Sequence, residues 1–416
     1  MSVNKTAVFP ALALSSLCLA SAHAIDIGDH FRVEGFGTLG VFQANDPIAT
    51  VRADPRQKDG SLDGELQFDA DTILALQGTV NPTGPIKGVV QLISKQDYKG
   101  SMSPRVEWAY LGWDVHQYLN VKFGRVVAPV FMTSDTRNVA FAQIMARPMN
   151  TVYQLNPITN VDGTNIKWTH RLDDADIGLE GMAGKSEVSN SLGTFKAKRT
   201  YGVGARYSTG PWTVRGGITA LNLDIDSAYL SGAVAALQGS PACSNCSTIV
   251  PNRFRLRDID ARLQTVGVLY DDDTTIVQAE YAFRPSNSAL VTRADGWYIM
   301  AGRRISEWTP YVGAGQFQVQ ESALGLVASD PSFDNAIAFQ NNSLAGLGRG
   351  NRTQLTAGVR WDFAPKFAAK LQWDQYDVAY PTYGKNVVAD YPIQASPPSS
   401  FDGRVHSLTL NLDFLF

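Results

Sequence analysis

The chain has 416 residues and little charge, little cysteine and almost no long apolar run. Charged residues are 18% of it, below the roughly 25% usual for soluble globular domains. A basic excess is missing: 36 basic residues stand against 39 acidic ones, which argues against a nucleic-acid partner. The five histidines show no metal-ligand spacing such as H-x-x-x-H. There is no G-x-S-x-G elbow and no phosphate-binding loop. These absences point away from an enzyme and imply no cofactor and no metal. Disorder is equally disfavoured, because 44% of the residues are apolar.

The one apolar run lies at the start. Lys5 precedes an apolar stretch from Ala7 to Ala20, and Ala22-His23-Ala24 fits a small-x-small cleavage site. Residues 1–24 read as a secretory signal peptide, leaving 25–416 as a single domain. The competing reading, a membrane anchor, needs roughly 20 apolar residues. Beyond it, apolar and polar residues alternate repeatedly. A secreted chain of that kind is a soluble all-β protein or a barrel in the outer membrane, because lipid tolerates only helices and closed barrels.

The last segment shows the pattern most clearly. Leu408, Leu410, Leu412, Phe414 and Phe416 share one face; Ser407, Thr409, Asn411, Asp413 and Leu415 share the other. Comparable strands are expected near 31–42, 70–80, 86–95, 104–113, 118–126, 164–170, 175–183, 199–207, 211–223, 262–271, 274–284, 295–303, 308–319, 352–362, 366–376 and 406–416. Sixteen is an even number, as a single-chain bacterial barrel requires. Every second connection is short and rich in Pro, Gly, Asp or Ser. Long links are expected near 43–69, 127–163, 184–198, 224–261, 320–351 and 377–405. The fold class is therefore all-β, a transmembrane antiparallel β-barrel of sixteen strands. Rings near strand ends, among them Phe31, Phe42, Trp113, Trp168, Trp212, Trp297, Trp308 and Phe416, suit interfacial girdles.

A barrel of sixteen strands is too wide to fill with side chains and encloses an aqueous channel. The link 127–163 carries an apolar stretch, Val139 to Met145. That is odd in open water and sensible if the link folds inward against the wall. An external cap or a subunit contact is the alternative. Strand parity turns Lys122, Lys167, Arg206, Arg262, Arg360 and Lys370 inward, with Glu180, Glu280 and Asp374. Arg125 has outward parity unless its strand bulges or ends before it. Lumenal bases concentrate anions, so the expected preference is weakly to moderately anionic.

The chain resembles the Gram-negative general porins. The resemblance rests on Phe123-Gly124-Arg125 before the long link, on Asn150-Thr151-Val152-Tyr153 and on the terminal Phe416. It implies a homotrimer whose third external loop, 127–163, forms a constriction, with Arg125 turned into it. It also implies outer-membrane lipids and lipopolysaccharide as partners, and small hydrophilic solutes or anions as cargo. On that loop, Asp135, Arg137, Arg147 and Tyr153 are the candidate constriction residues. The acidic cluster common in general porins is missing.

Cys243-Ser244-Asn245-Cys246 falls in a long external link, where a local disulfide is the expected state. Asp271-Asp272-Asp273 reads as a solvated hairpin turn. The expected function is passive diffusion through an outer-membrane channel. The alternatives are a specific channel for sugars, phosphate or small organic acids, and an adhesive or structural barrel.

Overall fold

Period-two alternation puts one set of side chains on each face of a strand, and the sixteen expected strands all form. The computed structural model describes residues 25–28, 30–46, 49–54, 56–58, 60–320, 324–337, 351–378, 393–395 and 403–416. The leader expected over 1–24 lies outside them, as does most of the link 377–405. The barrel strands are β1 (Phe31–Ala44), β2 (Ile73–Val80), β3 (Ile86–Ser94) and β4 (Arg105–His116). Next come β5 (Leu119–Val127), β6 (Asn160–Arg171), β7 (Ala175–Asn190) and β8 (Gly193–Thr209). Then follow β9 (Trp212–Asp226), β10 (Ile259–Asp271), β11 (Thr275–Arg284) and β12 (Ala294–Arg303). The last four are β13 (Trp308–Val319), β14 (Arg352–Ala364), β15 (Phe367–Val378) and β16 (Arg404–Leu415).

Each strand pairs antiparallel with the next, and β16 closes on β1 with Leu410 opposite Val41. Closure removes every free edge, which lipid demands. The faces then separate as the alternation predicts. Leu408, Leu410 and Leu412 are exposed, whereas Ser407, Thr409, Asn411 and Asp413 are buried. Exposed leucine beside buried aspartate inverts the rule for soluble proteins. It is the arrangement of a barrel with acyl chains outside.

At the short-turn end the outer face carries linked rings. Trp308 stacks on Trp361 at 5.0 Å, and the chain of contacts runs on through Phe363, Phe367, Phe414 and Phe416. Phe42 departs from the expected girdle: it is fully buried on the inner face, under the guanidinium of Arg147 at 4.7 Å.

The link expected over 184–198 is not a loop. β7 and β8 run through it and reverse at Ser191-Leu192. The alternation persists there, with Val188 and Phe195 packed on the apolar core while Lys196 and Lys198 face out. The link 224–261 does leave the sheet. It folds into helices α2 (Ala228–Gln238) and α3 (Cys246–Arg253). Their apolar residues Leu230 and Val250 pack with Leu223, Ile259 and Leu263 at the long-loop ends of β9 and β10.

Candidate functional site: the inner face and residues 128–159

Residues 128–159 join β5 to β6 and are held by inner-face side chains of distant strands. The segment begins with a turn in which Ser134 Oγ accepts from the N–H groups of Val130 and Phe131. It then forms one 3-10 turn, Ala140–Ala142, and the single helical turn α1, Asn150–Tyr153. So little regular structure leaves many backbone groups without local partners, and the wall supplies them.

The first anchor is Glu280 on β11. Its carboxylate accepts from the N–H of Met132 at 2.9 Å and from the phenols of Tyr153 (2.8 Å) and Tyr298 (2.5 Å). Burial and the Glu280 charge push the Tyr153 phenol well above its usual range, so it remains a donor. Beside this anchor, Thr265 Oγ1 and Arg215 Nη1 donate to the carbonyl of Val130.

The second anchor is cationic. Arg360 donates to the carbonyls of Phe141 (2.5 Å) and Gln143 (2.8 Å), and pairs with Asp362. Lys370 is fully buried; it donates to the carbonyls of Ala140 (2.6 Å) and Met145 (3.1 Å) and pairs with Asp413 at 2.9 Å. From the segment itself, Arg147 reaches Asp71 at 2.8 Å and the hydroxyl of Thr409. Arg284 closes the far side by donating to the carbonyl of Leu155.

Glycine on the wall allows this approach. A Cβ at Gly296 would lie 1.9 Å from the carbonyl oxygen of Thr151, and one at Gly267 would lie 2.5 Å from Met132 Cγ. The wall is therefore bare of side chains where α1 and Met132 sit against it.

The remaining bases divide. Lys122, Lys167 and Arg206, on β5, β6 and β8, share the inner face with Tyr110 of β4, Asn165 of β6 and Glu180 of β7. Among the described residues they enter no ion pair; Lys122 rests over the Tyr110 ring at 5.2 Å. Asp135 is exposed, with its charge felt by Tyr110 and Glu180. Arg137 differs: it donates to the carbonyls of Asn156 and Tyr153 and lies over the Tyr153 ring.

Two expected inner-face bases lie elsewhere. Arg125 keeps its outward parity, because β5 neither bulges nor stops before it, and it forms a bidentate pair with Asp162 at 2.7 and 2.9 Å. Arg262 is exposed on the face of Val266, opposite Ala220. The inner face there is apolar: Ala261 and Leu263 are buried, and Leu263 shares its cluster with Leu230 of α2 and Val250 of α3. They look like lipid contacts in sequence, which inverts the parity.

At the outer side of the segment Lys95 pairs with Asp54 at 3.2 Å and donates to Asn138 at 2.9 Å. Burial, reinforced by the Arg56 charge, lowers the Lys95 ammonium to about 8. Burial works against ionised Asp54, but Arg56 and Lys95 outweigh it and hold the carboxyl well below its usual range.

Cys243 and Cys246 form the expected disulfide. The turn it closes also clasps a second link. Ser244 N–H donates to the carbonyl of Val327, and Asn245 Oδ1 accepts from the Val327 N–H. Sequence reasoning missed Arg215 and Gly296; the only signal for either is an inward position opposite an unusually long link.

No protein-family model matches the chain, and no curated protein matches it. Solved structures do. The outer membrane channel DcaP of Acinetobacter baumannii is 11% identical with a TM-score of 0.53, over 95% of this chain and 99% of that one. In-vitro folded OmpT, an outer membrane protein of Vibrio cholerae, is 10% identical with a TM-score of 0.51, over 95% and 100%. At such identities the likeness shows the fold alone, and that fold is the Gram-negative outer-membrane β-barrel.

Proposed function

We propose that the protein is a passive diffusion channel for small hydrophilic solutes and ions, with a weak preference for anions. In this reading residues 128–159 fold into the lumen and narrow it. The support is the set of anchors that tie this segment to β9–β16, together with the glycines that admit it. The single observation carrying the preference is that Lys122, Lys167 and Arg206, on the opposite wall, enter no ion pair among the described residues. Asp135 and Glu180 stand near them, which keeps the preference weak. Arg360, Lys370 and Arg147 are spent on carbonyls and carboxylates, and so add no free field. Neither catalysis nor an energy source belongs to this reading, and the protein is expected to assemble as a homotrimer.

Planar-bilayer recording in a KCl gradient tests it. The expected result is ohmic conductance, in steps of three, with a reversal potential on the anion side. Reversing all three bases (Lys122→Glu, Lys167→Glu, Arg206→Glu) should carry that potential to the cation side. Folded protein without conductance would overturn the channel; an unmoved potential in the variant would overturn the role of these bases.

A further inference from the structure

A cavity of about 370 Å³ lies between residues 141–148 and the short-turn ends of β10–β14. That is the size range of small-molecule sites. Its lining is unusual for a wall expected to be wet. Phe141, Ile144 and Met145 face it from the segment; Leu269, Ile276 and Met300 face it from three adjacent strands. Register sets Leu269 and Met300 on either side of Gln278, whose amide donates to the Tyr298 hydroxyl, so two apolar side chains flank one polar group on this wall. Lipid cannot explain these residues, because they are on the inner face.

The charges of the cavity cancel. Arg304 is bidentate to Asp271 at 2.5 and 2.9 Å. Arg360 is held by Asp362 and by the two carbonyls already described. An anion entering here would have to break one of these pairs, and so would a cation. Fixed Arg–Asp pairs instead offer donors and acceptors side by side, which suits hydroxyl or amide groups. The two apolar surfaces offer burial for a ring or short chain.

We propose that this chamber is a solute subsite for small uncharged amphipathic molecules, those with an apolar body and a hydroxylated or amide edge. The inference rests on the channel reading and adds a solute class to it. The solute would sit below the segment, its apolar body between Met145 and Met300 and its polar edge towards Arg304–Asp271.

The test is current interruption in planar bilayers by two membrane-impermeant probes, phenyl β-glucoside and methyl β-glucoside. They share the sugar and differ in the apolar body. Phenyl β-glucoside should half-block the channel at a concentration lower by at least about ten-fold, the scale of burying one aromatic ring. The double variant Leu269→Thr/Met300→Thr should bring the two probes close to equality while keeping the open conductance. Phe141→Ser, which alters only the segment's side, should do so in part and covers the case in which the double variant does not fold. Equal block in the wild-type channel would overturn the subsite and leave the channel intact. Absence of any conductance would overturn the channel reading, and the subsite with it.

Discussion

Two walls of one barrel carry the same kinds of base and use them differently. On β14 and β15, Arg360 and Lys370 are covered, and their donors end on carbonyls of residues 140–145. On β5, β6 and β8, Lys122, Lys167 and Arg206 have no ion-pair partner among the described residues. Inward parity is shared by both sets. What separates them is hydrogen bonding to residues 128–159, whose carbonyls engage Arg360 and Lys370 and, among the described residues, none of the other three bases. A base on the inner face is thus a structural rivet or a lumenal charge according to what the intervening segment covers.

The comparison can be broken most sharply at Lys370. Lys370→Met should lower barrel stability by about 3–5 kcal/mol, because it strands the buried carboxylate of Asp413. The midpoint of urea unfolding in vesicles measures this. Removing both charges, with Lys370→Met/Asp413→Leu, should recover much of the loss, since an apolar pair replaces an ion pair at small net cost. A Lys122→Met control should leave the midpoint unchanged.

The next effect is expected at Glu280. Glu280→Gln keeps the volume but replaces an acceptor of four donors (Met132 N–H, the Tyr153 and Tyr298 phenols and the Gln278 amide) with a weaker group that is itself a donor. A loss of about 1.5–3 kcal/mol follows from hydrogen bonds to a charged partner. It should appear as faster hydrogen exchange at Met132 and Tyr153, and as noisier and larger unit conductance. A silent variant would show that Glu280 does not hold the segment.

The smallest effect concerns Lys95, which lies outside the strands. Its ordinary value of 10.5 falls to about 8 in the fold. Between those two values the unfolded chain binds the proton and the folded barrel does not. Stability from this group therefore rises as pH increases through the window, with a slope below about 1.4 kcal/mol per pH unit. Unfolding midpoints of wild type and Lys95→Met, taken from pH 8 to 10.5, should drift apart in favour of wild type. A flat difference would contradict the buried state of the ammonium.

The strands were legible because lipid and water impose opposite demands on alternate side chains. That demand is local, and it reads directly along β11, where Gln278 and Glu280 are buried while Tyr281 is exposed. It misled where the inner face is not wet. At Arg262 the inner neighbours Ala261 and Leu263 are buried and apolar, Leu263 within the cluster shared with α2 and α3, so the same alternation points the wrong way. At 184–198 the expected link is continuous strand, whose outward Lys196 and Lys198 pair with Asp226 and Asp224. At Arg125 the general-porin resemblance favoured an inward turn, and the outward pair with Asp162 shows that simple parity was the better guide.

The sequence by itself determined most of the architecture: sixteen strands and most of their faces follow from periodicity, and the Cys243–Cys246 bridge from its place in an external link. These are properties of neighbours along the chain. Only the tertiary structure decided which inward charges are consumed, because Lys370 and Ala140, or Glu280 and Met132, meet across more than a hundred residues. It also decided that Leu269, Ile276 and Met300 enclose an apolar chamber with Phe141. No local pattern encodes such meetings; they arise when closure of the barrel brings one link against strands far away in sequence.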